Sequence, residues 1–337
     1  MNKIEIDIIG GGLSGLSSAI TIKRIDNKIN VIVYEKHDKI GFNRDGRRCG
    51  EGYSLGEEWK YWRPVGDSIY NNIYSIKTVV KGKVYNLKIK PGKGFMLNRQ
   101  AFISQLGDKA KKLGVNIKTN NKIKTINDLD GDYIIDASGC PSIVKKELGL
   151  KKGIIGLTYQ QTLENCNKFT ENAMKVVITS DCGYYWLFPR NPKKKEVNFG
   201  FGMIGKKPDN LKQRLEKIKK EENITGNINH QTGGLIPAGI QRPLIHDNVL
   251  FVGDAGVGSF PLTGEGIYRA LYSGELAGRC IANDYPKKYP TEINKNFLKW
   301  DIIGKTFIKI NKTLEHISED AVFLLWHLYL DWWYSFH

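Results

Sequence analysis

Residues 4–15, IEIDIIGGGLSG, run directly into LSSAITIKRI at 16–25, and this stretch decides the fold. Residues 4–9 have strand character, the glycines make a turn, and the apolar spacing that follows is helical. NVIVYEK at 30–36 reads as a second strand that ends on Glu35. In a dinucleotide fold each part has a physical task. Gly10 allows the tight turn, Gly12 lets the backbone approach a diphosphate, and Gly15 lets the helix pack against the strand. Leu13 and Ser14 open the helix, whose N-terminus offers unpaired N–H groups and the positive end of a dipole to that diphosphate. Glu35, with Lys36 beside it, is placed for the ribose hydroxyls, and its charge disfavours a 2′-phosphate and hence NADP. A glycine pattern alone is a weak sign; between a strand and a helix, with an acid closing the next strand, it makes a merely structural turn the minority reading.

The composition is that of a folded protein of about two domains. The chain has 337 residues, 41% of them apolar, and 51 Lys+Arg against 35 Asp+Glu give a net charge of +16. Collagen-like, mucin-like and disulfide-scaffold classes are excluded. Cys49, Cys140, Cys166, Cys182 and Cys280 form no CxxC pair and are odd in number, which suggests neither a zinc ribbon nor a disulfide framework. His37, His230 and His246 lack metal-ligand spacing. The first residues carry no signal-peptide pattern and no stretch reaches the ~20 apolar residues that span a bilayer, so a cytoplasmic protein is expected. The excess charge is dispersed, as in Lys193–Lys195 and in LKQRLEKIKKEEN at 211–223, where it reads as solvated surface. No nucleic-acid motif accompanies it. An acidic redox partner, or peripheral contact with an anionic membrane face, suits it better.

Only one dinucleotide fingerprint is present. Later, NVLFVGDAGVGSFPLTGEGIYRALYSGELAGRCIA at 248–282 reads as a strand, a Gly253-Asp254 turn, a loop through Pro261–Gly266 and a helix with small residues. LNRQAF at 97–102 opens another helix, and YIIDASG at 133–139 is a buried strand ending in a small-residue turn.

With these motifs the chain resembles the FAD-dependent oxidoreductases of the p-hydroxybenzoate hydroxylase fold, and within them the geranylgeranyl reductases. The resemblance implies FAD. It implies that Asp254, after Gly253, holds the ribityl chain and that the backbone at Gly264 to Gly266 stabilises charge on the flavin pyrimidine. Arg99 takes the place of the family's arginine near the cofactor phosphates and ribose, and Ser138-Gly139 that of its adenine-side turn. Ser138 departs from the Asp-Gly form of the hydroxylases. RRCGEG at 47–52 is similar to the RCGEG segment of archaeal geranylgeranyl reductases, which places Arg48 and Cys49 beside the flavin. DCGYYWLFP at 181–189 is similar to the family's GYxWxFP stretch. Tyr184, Trp186 and Phe188 alternate on one strand face and form one apolar wall for a lipid, although core packing explains such a stripe when it stands alone. The proton would come from water or from a nearby side chain such as Cys49 or Tyr184; Cys49 could equally be a small apolar contact.

The expected fold is α/β, with a Rossmann-type FAD domain assembled from 1–60, 95–150 and 235–285. An interleaved antiparallel-sheet substrate domain occupies 61–94 and 151–234, and 286–337 form a helical C-terminal region rich in Trp. The resemblance implies reduction of isoprenoid C=C bonds, in geranylgeranyl-type lipids, with electrons from an acidic carrier such as a ferredoxin. Two other classes stay open: a flavin monooxygenase acting on an aromatic or polyene, and a flavin-binding redox partner or sensor without turnover.

Overall fold

The computed structural model describes residues 4–42, 49–55, 62–151, 153–181, 183–204 and 210–335. In chain order its elements begin β1 (Glu5–Ile9), α1 (Leu13–Ile25), β2 (Asn30–Tyr34), β3 (Gly52–Ser54), β4 (Ile69–Ile73), β5 (Ser75–Val80), β6 (Lys83–Lys88) and β7 (Gly94–Leu97). Then come α2 (Arg99–Lys112), β8 (Asn116–Lys118), β9 (Tyr133–Asp136), α3 (Ile143–Glu147), β10 (Ile155–Glu164), β11 (Ala173–Ile178), β12 (Gly183–Asn191) and β13 (Glu196–Ile204). The chain ends with α4 (Leu211–Glu221), β14 (Asn227–Pro237), β15 (Ile245–His246), β16 (Val249–Phe251), α5 (Ile267–Ala282), α6 (Tyr289–Glu315) and α7 (Glu319–Tyr334).

One unit comprises Met1–Gly46, Arg99–Ile155 and Ile236–Lys305. Its sheet has the order β15-β16-β9-β1-β2-β8 and is parallel from β16 to β8. Chain order reverses at β1, between β9 and β2, and a doubly wound sheet binds its ligand at such a switch point, beyond the carboxyl ends of the strands. Both glycine turns, after β1 and after β16, leave from those ends. β1 reads as a run of buried residues because a parallel sheet of this kind is covered on both faces. Helix α5 lies against α1 with no room to spare. A Cβ on Gly274 would stand 2.0 Å from Ser17 Oγ, and one on Gly278 would stand 2.7 Å from the Ser18 carbonyl. The small residues of SGELAG thus exist to let two helices touch.

The other unit comprises Arg47–Asn98, Gly156–Leu235 and Thr306–His337. Its main sheet has seven strands in the order β14-β10-β13-β12-β11-β5-β6, and β3, β7 and β4 make a three-stranded antiparallel sheet. The charged stretch at 211–223 forms α4, which sinks only Leu215 and Ile218 into a core built on Tyr185, Leu187, Phe199 and Phe201.

The sequence reading carried the nucleotide domain to residue 60, whereas β3 pairs with β7 and takes the segment from Arg47 into the second unit. It also set 286–337 apart as one helical region. In the structure Tyr289 donates its hydroxyl to the Phe251 carbonyl at 2.8 Å and belongs to the first unit, while Phe307 lies 4.6 Å from Trp326, ring to ring, in the second.

Candidate cofactor cradle and aromatic wall

In the first unit the glycine turn separates into packing and open positions. Gly10 has φ +104°, and a Cβ there would stand 2.6 Å from the Ala137 carbonyl; one on Gly15 would stand 2.0 Å from the Gly10 carbonyl. Gly12 caps α1, and a Cβ added to it meets no protein atom within 4 Å. The same holds at Gly139, which follows β9. The chain thus keeps space free directly in front of a helix N-terminus, where a diphosphate fits. Leu13 and Ser14 are buried, so only their backbone can face that space. Glu35 closes β2; its Oε2 accepts the Gly11 N–H at 2.8 Å and its Oε1 accepts the His37 N–H at 2.9 Å. A carboxylate has about four acceptor sites, which leaves capacity for ribose hydroxyls. Lys36 is exposed beside it. Ser138 has a structural duty, since its Oγ accepts the N–H of Ile143 at the start of α3. Buried Asp136 holds the same turn by accepting the Ser138 N–H at 2.9 Å and the Ser142 hydroxyl at 2.5 Å.

The second glycine turn lies on the same unit. Gly253, at φ +55°, has its α-carbon hydrogen toward Ser14, whose Oγ a Cβ would meet at 2.5 Å. Asp254 remains accessible. Desolvation by the protein packed around its carboxyl raises the pKa all the same, and the charges of Arg99 and Arg269 oppose that shift. Arg99, Asp254 and Gly266 are therefore brought to one place, as the sequence motifs imply; a Cβ on Gly266 would be 4.0 Å from Asp254 Oδ1. Gly264 contributes differently from expectation. Its N–H donates to the Phe260 carbonyl at 2.9 Å and closes the turn. The donors that α5 presents belong to its first turn, which begins at Gly266.

The aromatic wall lies in the second unit. Tyr184 and Trp186 have ring centroids 5.9 Å apart, and Trp186 and Phe188 6.2 Å. Trp186 is buried and lies across Gly200, where a Cβ would be 2.2 Å from its ring. Tyr184 and Phe188 are half-buried. Burial holds the Tyr184 phenol well above its ordinary pKa. A Cβ on Gly50 would be 3.1 Å from Phe188 and 4.0 Å from the Trp186 indole nitrogen, so the Cys49–Glu51 segment runs against this wall. Cys49 is half-buried and its Sγ accepts the Glu51 N–H at 3.2 Å. Arg48 falls outside the described residues.

A family profile for NAD(P)-binding Rossmann-like domains matches residues 8–72. The digeranylgeranylglycerophospholipid reductase of Methanothrix thermoacetophila is 25% identical, across 95% of this chain and 93% of its own. The reductase of the same name, numbered 2, from Methanosphaera stadtmanae is 27% identical, across 94% and 88%. A geranylgeranyl bacteriochlorophyll reductase-like protein from Thermoplasma acidophilum superposes with a TM-score of 0.80 at 22% identity, across 95% and 90%. The flavin-dependent brominase Bmp2 shares the fold with a TM-score of 0.70 at 14% identity, across 97% and 90%. Over nearly its whole length the chain is similar to proteins named digeranylgeranylglycerophospholipid reductase.

Several polar residues carry structure or charge that the motifs did not single out. Glu265, between the two turn glycines, is half-buried, and burial pushes its carboxyl up to about 7. A carboxyl raised on folding keeps its proton while the unfolded chain loses it near the ordinary 4.5. The stability that Glu265 contributes to the flavin-free protein should therefore be lost as pH rises from about 4.5 to about 7. Glu265→Gln should flatten that slope in a melting-temperature series; an unchanged slope would refute the assignment. Arg269 and Asp301 form a buried pair at 2.7 Å, and Arg190 lies buried between Glu51 and Glu196. In a chain this rich in Lys, no local pattern distinguishes such groups from solvated ones.

Proposed function

We propose that the chain binds FAD and reduces C=C bonds in the isoprenoid chains of a digeranylgeranylglycerophospholipid-type lipid. The observation that supports this best is the Tyr184–Trp186–Phe188 wall with the Cys49 segment against it, an apolar surface carrying a thiol and a phenol. FAD would be held by the Gly12 turn and first turn of α1 at its diphosphate, by Glu35 at ribose, by Arg99 and Asp254, and by the first turn of α5 at the pyrimidine. Bound and reduced, it supplies hydride. The chain's own part is to orient a substrate with few polar handles and to deliver a proton to the second alkene carbon. Tyr184, like any phenol, keeps its proton at neutral pH, and its surroundings raise its pKa further; Cys49 offers the alternative donor. One hydride and one proton add two hydrogens per bond.

Anaerobic incubation of the reduced protein with unsaturated archaeal-type lipids tests the reading. Mass spectrometry should show gains of two hydrogens per double bond. No gain, or oxygen consumption coupled to hydroxylation, would reject it. Trp186→Ala should alter substrate binding or regiochemistry with flavin content intact.

Electrons would come from an acidic carrier such as a ferredoxin, steered by the net charge of +16. Reduction by such a carrier should slow steeply with salt, as the Debye length contracts to about 8 Å near physiological ionic strength. Rapid, salt-insensitive reduction by NADH or NADPH alone would overturn this. Among the described residues no helix is long and apolar enough to cross a membrane, yet the proposed substrate is a membrane lipid. Helix α7 buries Val322, Trp326 and Leu330. It ties Asp320 and Asp331 to Lys81 and Lys83. Leu324 and Leu328, 59% and 61% exposed, and Trp332 line the remaining arc at four-residue spacing. We assign this arc to an anionic bilayer surface. Anionic vesicles should sediment the protein at low salt and release a Leu324→Lys/Leu328→Lys variant; equal sedimentation of both would defeat the assignment.

A further inference from the structure

Three neighbouring strands of the second unit direct polar side chains at one short turn, Cys49-Gly50-Glu51. From β10, Gln160 donates its Nε2 to the Cys49 carbonyl at 3.3 Å, while its Oε1 accepts the indole N–H of Trp186 at 3.0 Å. From β13, Asn198 donates its Nδ2 to the Gly50 carbonyl at 3.2 Å and to Glu51 Oε2 at 3.1 Å, and its Oδ1 accepts the Thr162 hydroxyl at 2.9 Å. From β12, Arg190 donates its Nε to the same Glu51 oxygen at 2.5 Å and its Nη1 to Glu196, and its guanidinium lies 4.0 Å from the Tyr70 ring centroid. Burial alone would lower the Arg190 pKa, but the two carboxylates outweigh it and hold the guanidinium charged. The Glu51 carbonyl accepts the Leu97 N–H at 2.9 Å.

This fastening acts on a turn that the backbone does not favour. Glu51 sits at φ +63°, in the left-handed region that a residue with a Cβ avoids. Such a conformation persists only where its surroundings over-determine it. The turn fastened in this way also carries the contact to the sulfur: the Glu51 N–H donates to Cys49 Sγ at 3.2 Å. The sulfur thus has a fixed partner and direction, and the amide that sets its carbonyl also holds the Trp186 indole. Thiol and aromatic wall are one hydrogen-bonded assembly.

We propose that Gln160, Asn198 and Arg190 are positioning residues that aim the Cys49 thiol and couple it to Trp186. The proposal rests on the reading that Cys49 serves the reacting bond, and its test separates the two. Gln160→Met and Asn198→Leu remove single members at near-constant volume in the full-length flavoprotein. Trp186→Phe removes only the N–H that orients Gln160, and covers the case in which Gln160→Met does not fold. Alkylation of Cys49 by iodoacetamide, followed by peptide mass spectrometry, should slow on the order of tenfold, because the sulfur loses its direction and its N–H partner. Alkylation at Cys140, which lies in the other unit, should stay constant. In anaerobic lipid reduction by Gln160→Met and Asn198→Leu, kcat should fall by up to roughly 10²-fold at unchanged KM and flavin content. Wild-type Cys49 alkylation in all three variants would overturn the positioning role. Slowed alkylation with wild-type kcat would leave the positioning role standing and remove Cys49 from the reaction.

Discussion

Gly12→Leu should give a folded, colourless protein, whereas Gly15→Leu should fail to fold. The difference lies in what each side chain would meet. At Gly12 a Cβ enters open space in front of α1, so the flavin-free fold tolerates it. The space it fills is the one the diphosphate needs, and flavin retention should drop by more than about tenfold, a loss of at least ~1.4 kcal/mol. At Gly15 a Cβ would be 2.0 Å from the Gly10 carbonyl, backbone against backbone, and neither strand nor helix can retreat without breaking the sheet. Overpacking costs of about 1–3 kcal/mol are a lower bound for such a clash. Far-UV circular dichroism and flavin absorbance on the two purified variants decide it. Full flavin content in Gly12→Leu would refute the cradle.

The second large effect is expected at Asp301. Its Oδ1 accepts from Arg269 Nη1 at 2.7 Å and its Oδ2 takes the Ile240 N–H, while Arg269 Nη2 reaches the Val257 carbonyl at 2.8 Å. Both side chains are almost wholly buried. The guanidinium also lies over the rings of Phe297 and Phe260, at 4.4 and 4.8 Å. Asp301→Ala leaves that cation buried with one aromatic cage and one carbonyl, and should cost about 3–5 kcal/mol. Arg269→Met combined with Asp301→Leu should recover most of this, since neither charge then remains in the core. Denaturant unfolding of the single and double variants gives the comparison. A single variant within ~0.5 kcal/mol of wild type would show that the pair contributes little.

Which of these positions could be read beforehand follows from how far each interaction reaches along the chain. The β1–α1 unit was legible because its conformation is set within a dozen residues, by a strand pattern, glycines and a helical period. Glu35 was legible because parallel strands joined by a helix place the end of β2 beside the end of β1. The Tyr184–Trp186–Phe188 face followed from a recognised motif and two-residue alternation, and the exposed character of 211–223 followed from its density of charge, which α4 turns outward apart from Leu215 and Ile218. What the motif could not reveal was internal use of a donor: the Gly264 N–H is taken by Phe260, a detail of turn closure.

By itself, then, the sequence determined the nucleotide-binding architecture, the second glycine turn and the aromatic stripe, because each is written in local backbone preference and periodicity. Tertiary structure decided which polar residues are buried and what they hold. Gln160, Arg190 and Asn198 reach the Cys49 turn from more than a hundred residues away, Asp301 meets Arg269 from another helix, and Gly274 and Gly278 find α1 through a crossover. A charge or amide looks the same in sequence whether water or a carboxylate satisfies it, and only the packed chain supplies the partner.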